Sequence, residues 1–142
     1  METETAINLG LNIRIPPDYI PEESQRLRMY KQIGGISDLA ERAQVERELA
    51  DRYGPPPEPV LNLLQYAELK LAAGRLRVHS IERKRDTIRV KFHEDAAVDP
   101  ARLMEFVASR PGAQFTPAGL LRFPLNGSSA LQEVRRLLAQ LL

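Results

Sequence analysis

The chain has 142 residues, 43% of them hydrophobic, with 20 Lys+Arg against 19 Asp+Glu and no cysteine. That is long enough for one domain with a real core and too apolar for a disordered chain. Near-balanced charge excludes a global field towards nucleic acid or a membrane surface, and the missing thiols exclude disulfides, thiolate catalysis and Cys-ligated zinc.

A cysteine-free chain suits a reducing, cytoplasmic setting. Apolar runs of a few residues cannot span a bilayer, and Met1-Glu2-Thr3-Glu4 does not read as a signal peptide. Ile7, Leu9, Leu11, Ile13 and Ile15 alternate with mostly polar residues, which predicts a strand with one buried face, stopped by Pro16-Pro17. Pro21-Glu22-Glu23 places proline and acids where a helix begins. That helix carries Leu27, Met29, Tyr30 and Ile33 and ends at Gly34-Gly35. Ser37 is the expected N-cap of a second helix over 38–53. Pro57-Glu58-Pro59 opens a third, which ends near Gly74. Val60, Leu61, Leu63, Leu64, Ala67, Leu69 and Leu71 cover most of its circumference, so it is expected to be the central, buried helix.

A hairpin follows. Ile88, Val90 and Phe92 alternate with Arg89, Lys91 and His93. In the partner strand, near Val78 to Arg83, Val78 and Ile81 have opposite parity, which predicts a bulge or a late start. Asp99-Pro100 begins a helix carrying Leu103, Phe106 and Val107. A short hairpin is expected over Gln114 to Phe123, turning at Pro117 to Gly119. Ser128 or Ser129 caps a last helix bearing Leu131, Val134, Leu137, Leu138 and Leu141. The sum is an α+β fold: an N-terminal strand and three-helix region packed with a small, mostly antiparallel sheet and C-terminal helices. One domain over 1–142 is expected, helical over about 20–74 and β-rich over about 75–142.

Residues for chemistry are sparse. There is no G-x-x-x-x-G-K-[ST] phosphate loop and no serine in a nucleophile elbow. His79 and His93, with Glu94 and Asp95, offer metal ligands by type, but on a charged hairpin they read as solvated strand residues. No catalytic constellation, cofactor or metal is expected. Two features could bind a partner. The hairpin is basic, with Arg75, Arg77, Arg83, Lys84, Arg85, Arg89 and Lys91 against Glu82 and Asp86. Phosphate contacts through Arg85, Arg89 and Lys91 are one possibility. No aromatic is interleaved on the polar face, so base stacking is not expected, and a solvated hairpin protected from edge-to-edge pairing fits as well.

The second feature is the end of helix 38–53, Glu48-Leu49-Ala50-Asp51-Arg52-Tyr53-Gly54. Gly54 suits a C-cap that needs positive φ, and Pro55-Pro56-Pro57 forbids continuation. Glu48 and Asp51 stand where the helix dipole disfavours carboxylates. On a wheel at about 100° per residue, Leu39, Ala43, Leu49, Ala50 and Tyr53 fall on one side and Glu48, Asp51 and Arg52 on the other. An i,i+4 pair between Glu48 and Arg52 accounts for two of the three charges and leaves Asp51 unexplained.

Ile15-Pro16-Pro17-Asp18-Tyr19-Ile20-Pro21, then Arg26-Leu27-x-x-Tyr30-Lys31, then Glu48-Leu49-x-Asp51-Arg52-Tyr53-Gly54-x-x-Pro57 resembles, in order, the C-terminal domain of bacterial transcription-repair coupling factor. Pro55-Pro56-Pro57 is richer in proline than the usual Gly-x-x-Pro. The resemblance implies a regulatory domain of a large ATP-driven DNA translocase that displaces stalled RNA polymerase and recruits nucleotide excision repair. It implies that the domain contacts an N-terminal domain of the same polypeptide and masks the surface that binds the damage-recognition protein. By motif position, Glu48, Asp51 and Arg52 are the residues of that contact. The alternative expectation is a nucleic-acid-binding module built on the hairpin 75–93.

Overall fold

A computed structural model describes residues 4–142; Met1 to Thr3, most of the polar start noted above, lie outside the described residues. The elements run β1 (Ala6–Asn8), α1 (Glu23–Gly34), α2 (Leu39–Tyr53), α3 (Glu58–Arg75), β2 (Val78–Lys84), β3 (Thr87–Phe92), α4 (Pro100–Ser109), β4 (Gln114–Phe115), β5 (Leu120–Pro124) and α5 (Ala130–Leu141). The fold is α+β. Two compact units are found among the described residues, one of residues 4–10 with 72–142 and one of Leu11–Leu71.

The unit of residues 11–71 is helical. Its core joins Ile15 and Ile20 from the N-terminal segment to Met29 and Ile33 of α1, Val45 and Leu49 of α2, and Val60, Leu64 and Ala67 of α3. Burial of side chains this size stabilises by about 1.5–3 kcal/mol each, so these helices depend on packing more than on propensity. In α3 the only exposed residues are Glu58, Lys70 and Arg75, in keeping with its apolar circumference. Two sequence expectations need correction in α1 and α2. Leu27 is 61% exposed and Leu39 is 60% exposed, so neither is core. The buried stripe of α2 is Val45 and Leu49, with Tyr53 half-buried and Ala50 exposed. An i, i+4, i+8 stripe is what faces the core, and the small alanines misled the wheel. The N-cap is Asp38 rather than Ser37: its carboxylate accepts from the Glu41 N–H at 2.7 Å. The Ser37 hydroxyl donates to Glu41 Oε2 at 2.9 Å instead.

The other unit is built on a five-stranded sheet in the order β1-β2-β3-β5-β4. Its β1–β2 pair is parallel and the rest are antiparallel. A register shift between Val78 and Ser80 is the irregularity that the parity change predicts. Ile81, Ile88, Val90, Leu121 and Phe123 are buried together with Phe106 of α4 and Val134, Leu137 and Leu138 of α5. The rings of Phe106 and Phe123 meet edge to face at 5.2 Å, so the sheet face bearing Phe123 is the one covered by α4. Caps follow the sequence: Asp99 accepts from the Ala101 N–H, Pro100 stands at the first helical position, and Ser129 caps α5.

The expected strand over Ile7 to Ile15 is only three residues long. Gly10 adopts φ +73°, and its N–H binds Asn8 Oδ1 at 3.0 Å, which turns the chain out of the ladder. The alternation of burial persists to Ile15. Residues 11–15 find non-strand partners: Asn12 O accepts from Asn62 Nδ2 at 3.1 Å, and the Ile15 N–H donates to Tyr30 Oη at 2.6 Å. Alternation therefore marked a half-buried segment, not a paired strand.

Candidate docking surface

The last two turns of α2 carry Glu48, Asp51 and Arg52 on a rigid support. Leu49, fully buried, fixes the helix from below. Gly54 closes it with φ +87° and ψ −177°, its N–H donating to Ala50 O at 3.0 Å. Tyr19, from the Pro16-Pro17-Asp18-Tyr19 turn, donates its hydroxyl to Gly54 O at 2.9 Å and lies 3.3 Å from Leu49 O. Tyr53 donates to Gln25 Oε1 of α1 at 2.8 Å, and the Tyr19 and Tyr53 rings are 5.7 Å apart. Burial, and secondarily the neighbouring Tyr53, raises the Tyr19 hydroxyl above its usual pKa. The helix end is thus tied to both the N-terminal segment and α1, and of the carbonyls left open by the final turn, that of Ala50 accepts from the Gly54 N–H.

On this support the three charges differ. Glu48 accepts from Gln32 Nε2 of α1 at 3.1 Å and lies 3.7 Å from Arg52. Arg52 also stands over the Tyr53 ring, 5.1 Å from its centroid, with half of its side chain exposed. Asp51 is exposed and makes no hydrogen bond or ion pair among the described residues. Two charges are held in place from within, and a third is presented to solvent where the helix dipole opposes it. Sequence spacing found the Glu48–Arg52 pair. Gln32 and Tyr19 were beyond it, because they reach the site across 16 and 35 residues.

The family comparison falls on these elements. The TRCF domain model matches residues 9–103. The chain belongs to the TRCF domain family. It is similar to the transcription-repair-coupling factor of Bacillus subtilis (strain 168), 33% identical over 104 residues, 72% of this chain and 9% of that protein. The factor of Escherichia coli (strain K12) is 31% identical over 108 residues, 76% of this chain and 9% of the relative. That of Rickettsia bellii (strain RML369-C) is 29% identical over 135 residues, covering 93% and 12%. The chain thus spans about a tenth of the length of these relatives. The crystal structure of the C-terminal domain of a transcription-repair coupling factor matches with TM-score 0.85 at 20% identity, over 99% of this chain and 91% of the other, so the two share a fold.

Elsewhere in this TRCF domain, the other predicted residues are distributed as follows. Arg89 and Lys91 stand on one face of β3, and Arg85 sits at the hairpin tip with φ +57°. Arg83 Nε donates to Arg85 O at 2.7 Å. Arg77 pairs with Asp95 at 2.8 Å, and that hydrogen bond, opposed by desolvation, holds the Asp95 carboxyl below its usual pKa. Asp95 is therefore engaged by a cation. The His79 and His93 rings meet edge to face at 5.0 Å, and no group of three metal-ligating side chains occurs among the described residues. No described helix is long and apolar enough to cross a membrane.

Proposed function

We propose that this chain is a non-catalytic regulatory domain of a transcription-repair coupling factor and acts by holding its parent in a resting form. Its Glu48–Asp51–Arg52 face docks on an N-terminal domain of the same polypeptide. There it covers the surface that recruits the damage-recognition protein of nucleotide excision repair. The parent is an ATP-dependent DNA translocase acting on stalled RNA polymerase, and its ATP chemistry belongs to other domains.

The observation that carries this proposal is the exposed, unpaired Asp51 on a helix end locked by Tyr19, Tyr53 and Gly54. Preorganisation lowers the entropy lost on docking. Charges at such a contact contribute orientation and specificity more than affinity, which suits a clamp that must open. A switch between closed and open states needs a difference of only a few kcal/mol. Calorimetry with the isolated N-terminal domain of the parent tests it. Glu48→Ala with Asp51→Ala should keep the circular dichroism of the wild type and weaken binding at least tenfold. Unchanged affinity would remove this face from the contact.

A further inference from the structure

The solvent side of the five-stranded sheet holds a second charged surface, independent of the α2 end. Register places one residue from each strand in a single transverse row: Gln114, Arg122, Arg89, Glu82 and Asn8. Arg122 and Arg89 are direct cross-strand partners. Like charges placed opposite each other destabilise a sheet. Glu82 offsets only one side, lying 3.5 Å from Arg89 Nε, while Arg122 Nη2 donates to the neutral Gln114 Oε1 at 2.8 Å. The Nε of Arg122 is buried without a hydrogen-bond partner.

The same face carries Lys91, two residues from Arg89, and Lys84 at the end of β2, both exposed. Four cations thus stand against one carboxylate. Asp86, the other nearby acid, is taken up by the loop after β5: its backbone carbonyl accepts from the Leu125 N–H at 2.7 Å and its Oδ2 from the Asn126 N–H at 3.0 Å. Among the described residues no Phe or Tyr stands on this side: Phe92 and Phe123 belong to the buried side, and Leu120, the register partner of Lys91, is half-buried here.

We propose that this sheet face binds the phosphate backbone of duplex DNA without sequence preference, through Arg89, Arg122, Lys91 and Lys84, with Arg85 at its margin. A phosphate between the paired guanidiniums would relieve their repulsion. Among the described residues no large exposed apolar side chain stands on this face, which disfavours a protein partner, whose interface would need such an anchor at its centre, and no Phe or Tyr is there to stack single strands. Backbone binding needs only cations, and it is weak and salt-dependent. The site differs from the basic hairpin read from the sequence: it crosses to β5 and includes Arg122, while Arg77 and Arg83 lie outside it.

Fluorescence anisotropy of the whole chain with a labelled duplex of about 30 base pairs tests this. Binding should appear at about 25 mM salt and fall with a log–log slope of about −3 to −4. Arg89→Gln, Lys91→Gln and Arg122→Gln together should weaken it at least tenfold and reduce the slope by about 2 to 3. Arg122→Lys, which keeps the charge, should retain most of the binding. Arg28→Gln with Lys31→Gln on α1 should leave it unchanged. No binding at low salt, or a triple variant that stays folded by circular dichroism yet binds like the wild type, overturns the proposal. So does tighter binding of a poly-glutamate peptide than of DNA, which would assign the face to an acidic protein segment.

Discussion

The hydroxyl of Tyr19 donates to the carbonyl of Gly54 at 2.9 Å, joining a proline-bounded turn to the end of a helix 35 residues away. The bond connects two stretches of sequence, Pro16-Pro17-Asp18-Tyr19 and Asp51-Arg52-Tyr53-Gly54, that otherwise look like separate local signals. Tyr19→Phe keeps the ring against Tyr53 and removes the donor, so it should cost about 1 kcal/mol in urea unfolding. The pH dependence has a definite sign. The Tyr19 pKa is raised above its usual 10.0 by burial, so the neutral form is favoured in the folded state. Its contribution is complete below pH 10 and is lost as pH rises through the folded pKa. The stability of wild type should fall more steeply than that of Tyr19→Phe on the alkaline side of pH 10, read as melting temperature against pH.

Gly54 is the second half of that junction. At φ +87° and ψ −177° it occupies a region essentially restricted to glycine, and a Cβ there would meet no atom within 4 Å. The cost of Gly54→Ala is therefore conformational rather than steric, about 1–3 kcal/mol. Chemical denaturation should show a lower midpoint with an unchanged slope, as expected for lost stability without a changed denatured state.

The helices were legible in the sequence because their punctuation is local. Pro21, Gly34-Gly35, Gly54-Pro55, Pro59, Asp99-Pro100 and Ser129 each act on the residues beside them, and the starts of α1, α3, α4 and α5 and the ends of α1 and α2 fall there within a residue or two. The errors arose where pairing or packing decides. Alternation from Ile7 to Ile15 could not reveal that Gly10 leaves the ladder, since the absence of a neighbouring strand is not encoded in the segment itself. Leu27 and Leu39 were placed by residue type, and both lie on the outer sides of their helices. At the candidate site the charged residues were legible but not their unequal roles. Gln32, on another helix, engages Glu48 and leaves Asp51 as the one without a partner.

That inequality separates stability from binding at Asp51. Its carboxylate stands in the last turn of α2, opposed by the helix dipole, and is exposed with no compensating contact among the described residues. Asp51→Ala removes the unfavourable charge and adds a better helix former. It should stabilise the fold by a few tenths of a kcal/mol, up to about 1, seen as a small rise in melting temperature. The same substitution should weaken the proposed docking on the N-terminal domain. A residue that costs stability where it stands and is needed only by a partner has this paired signature, whereas a loss of both would make Asp51 structural.

In the sheet-bearing unit, the ion pair between Arg110 and Glu133 is the contact most exposed to a single substitution. Arg110 follows α4 and reaches Glu133 of α5, which is 7% exposed. It also donates to Pro124 O at 2.7 Å and lies over the Phe123 ring at 5.0 Å. One guanidinium therefore links α5, the end of β5 and the core aromatic. Arg110→Ala leaves the Glu133 carboxylate buried, with only Arg136 at 3.4 Å to offset it. Breaking a buried pair from one side costs about 3–5 kcal/mol, and that remaining cation lowers the expectation to about 2–4. Arg136→Ala, at a side chain 71% exposed, should cost under about 1 kcal/mol. Replacing both Arg110 and Glu133 by Met should recover much of the loss, because no unpaired charge then remains in the core. Urea midpoints of the four proteins check these differences, and equal losses from Arg110→Ala and Arg136→Ala would show that the half-buried cation supports Glu133 no more than the exposed one.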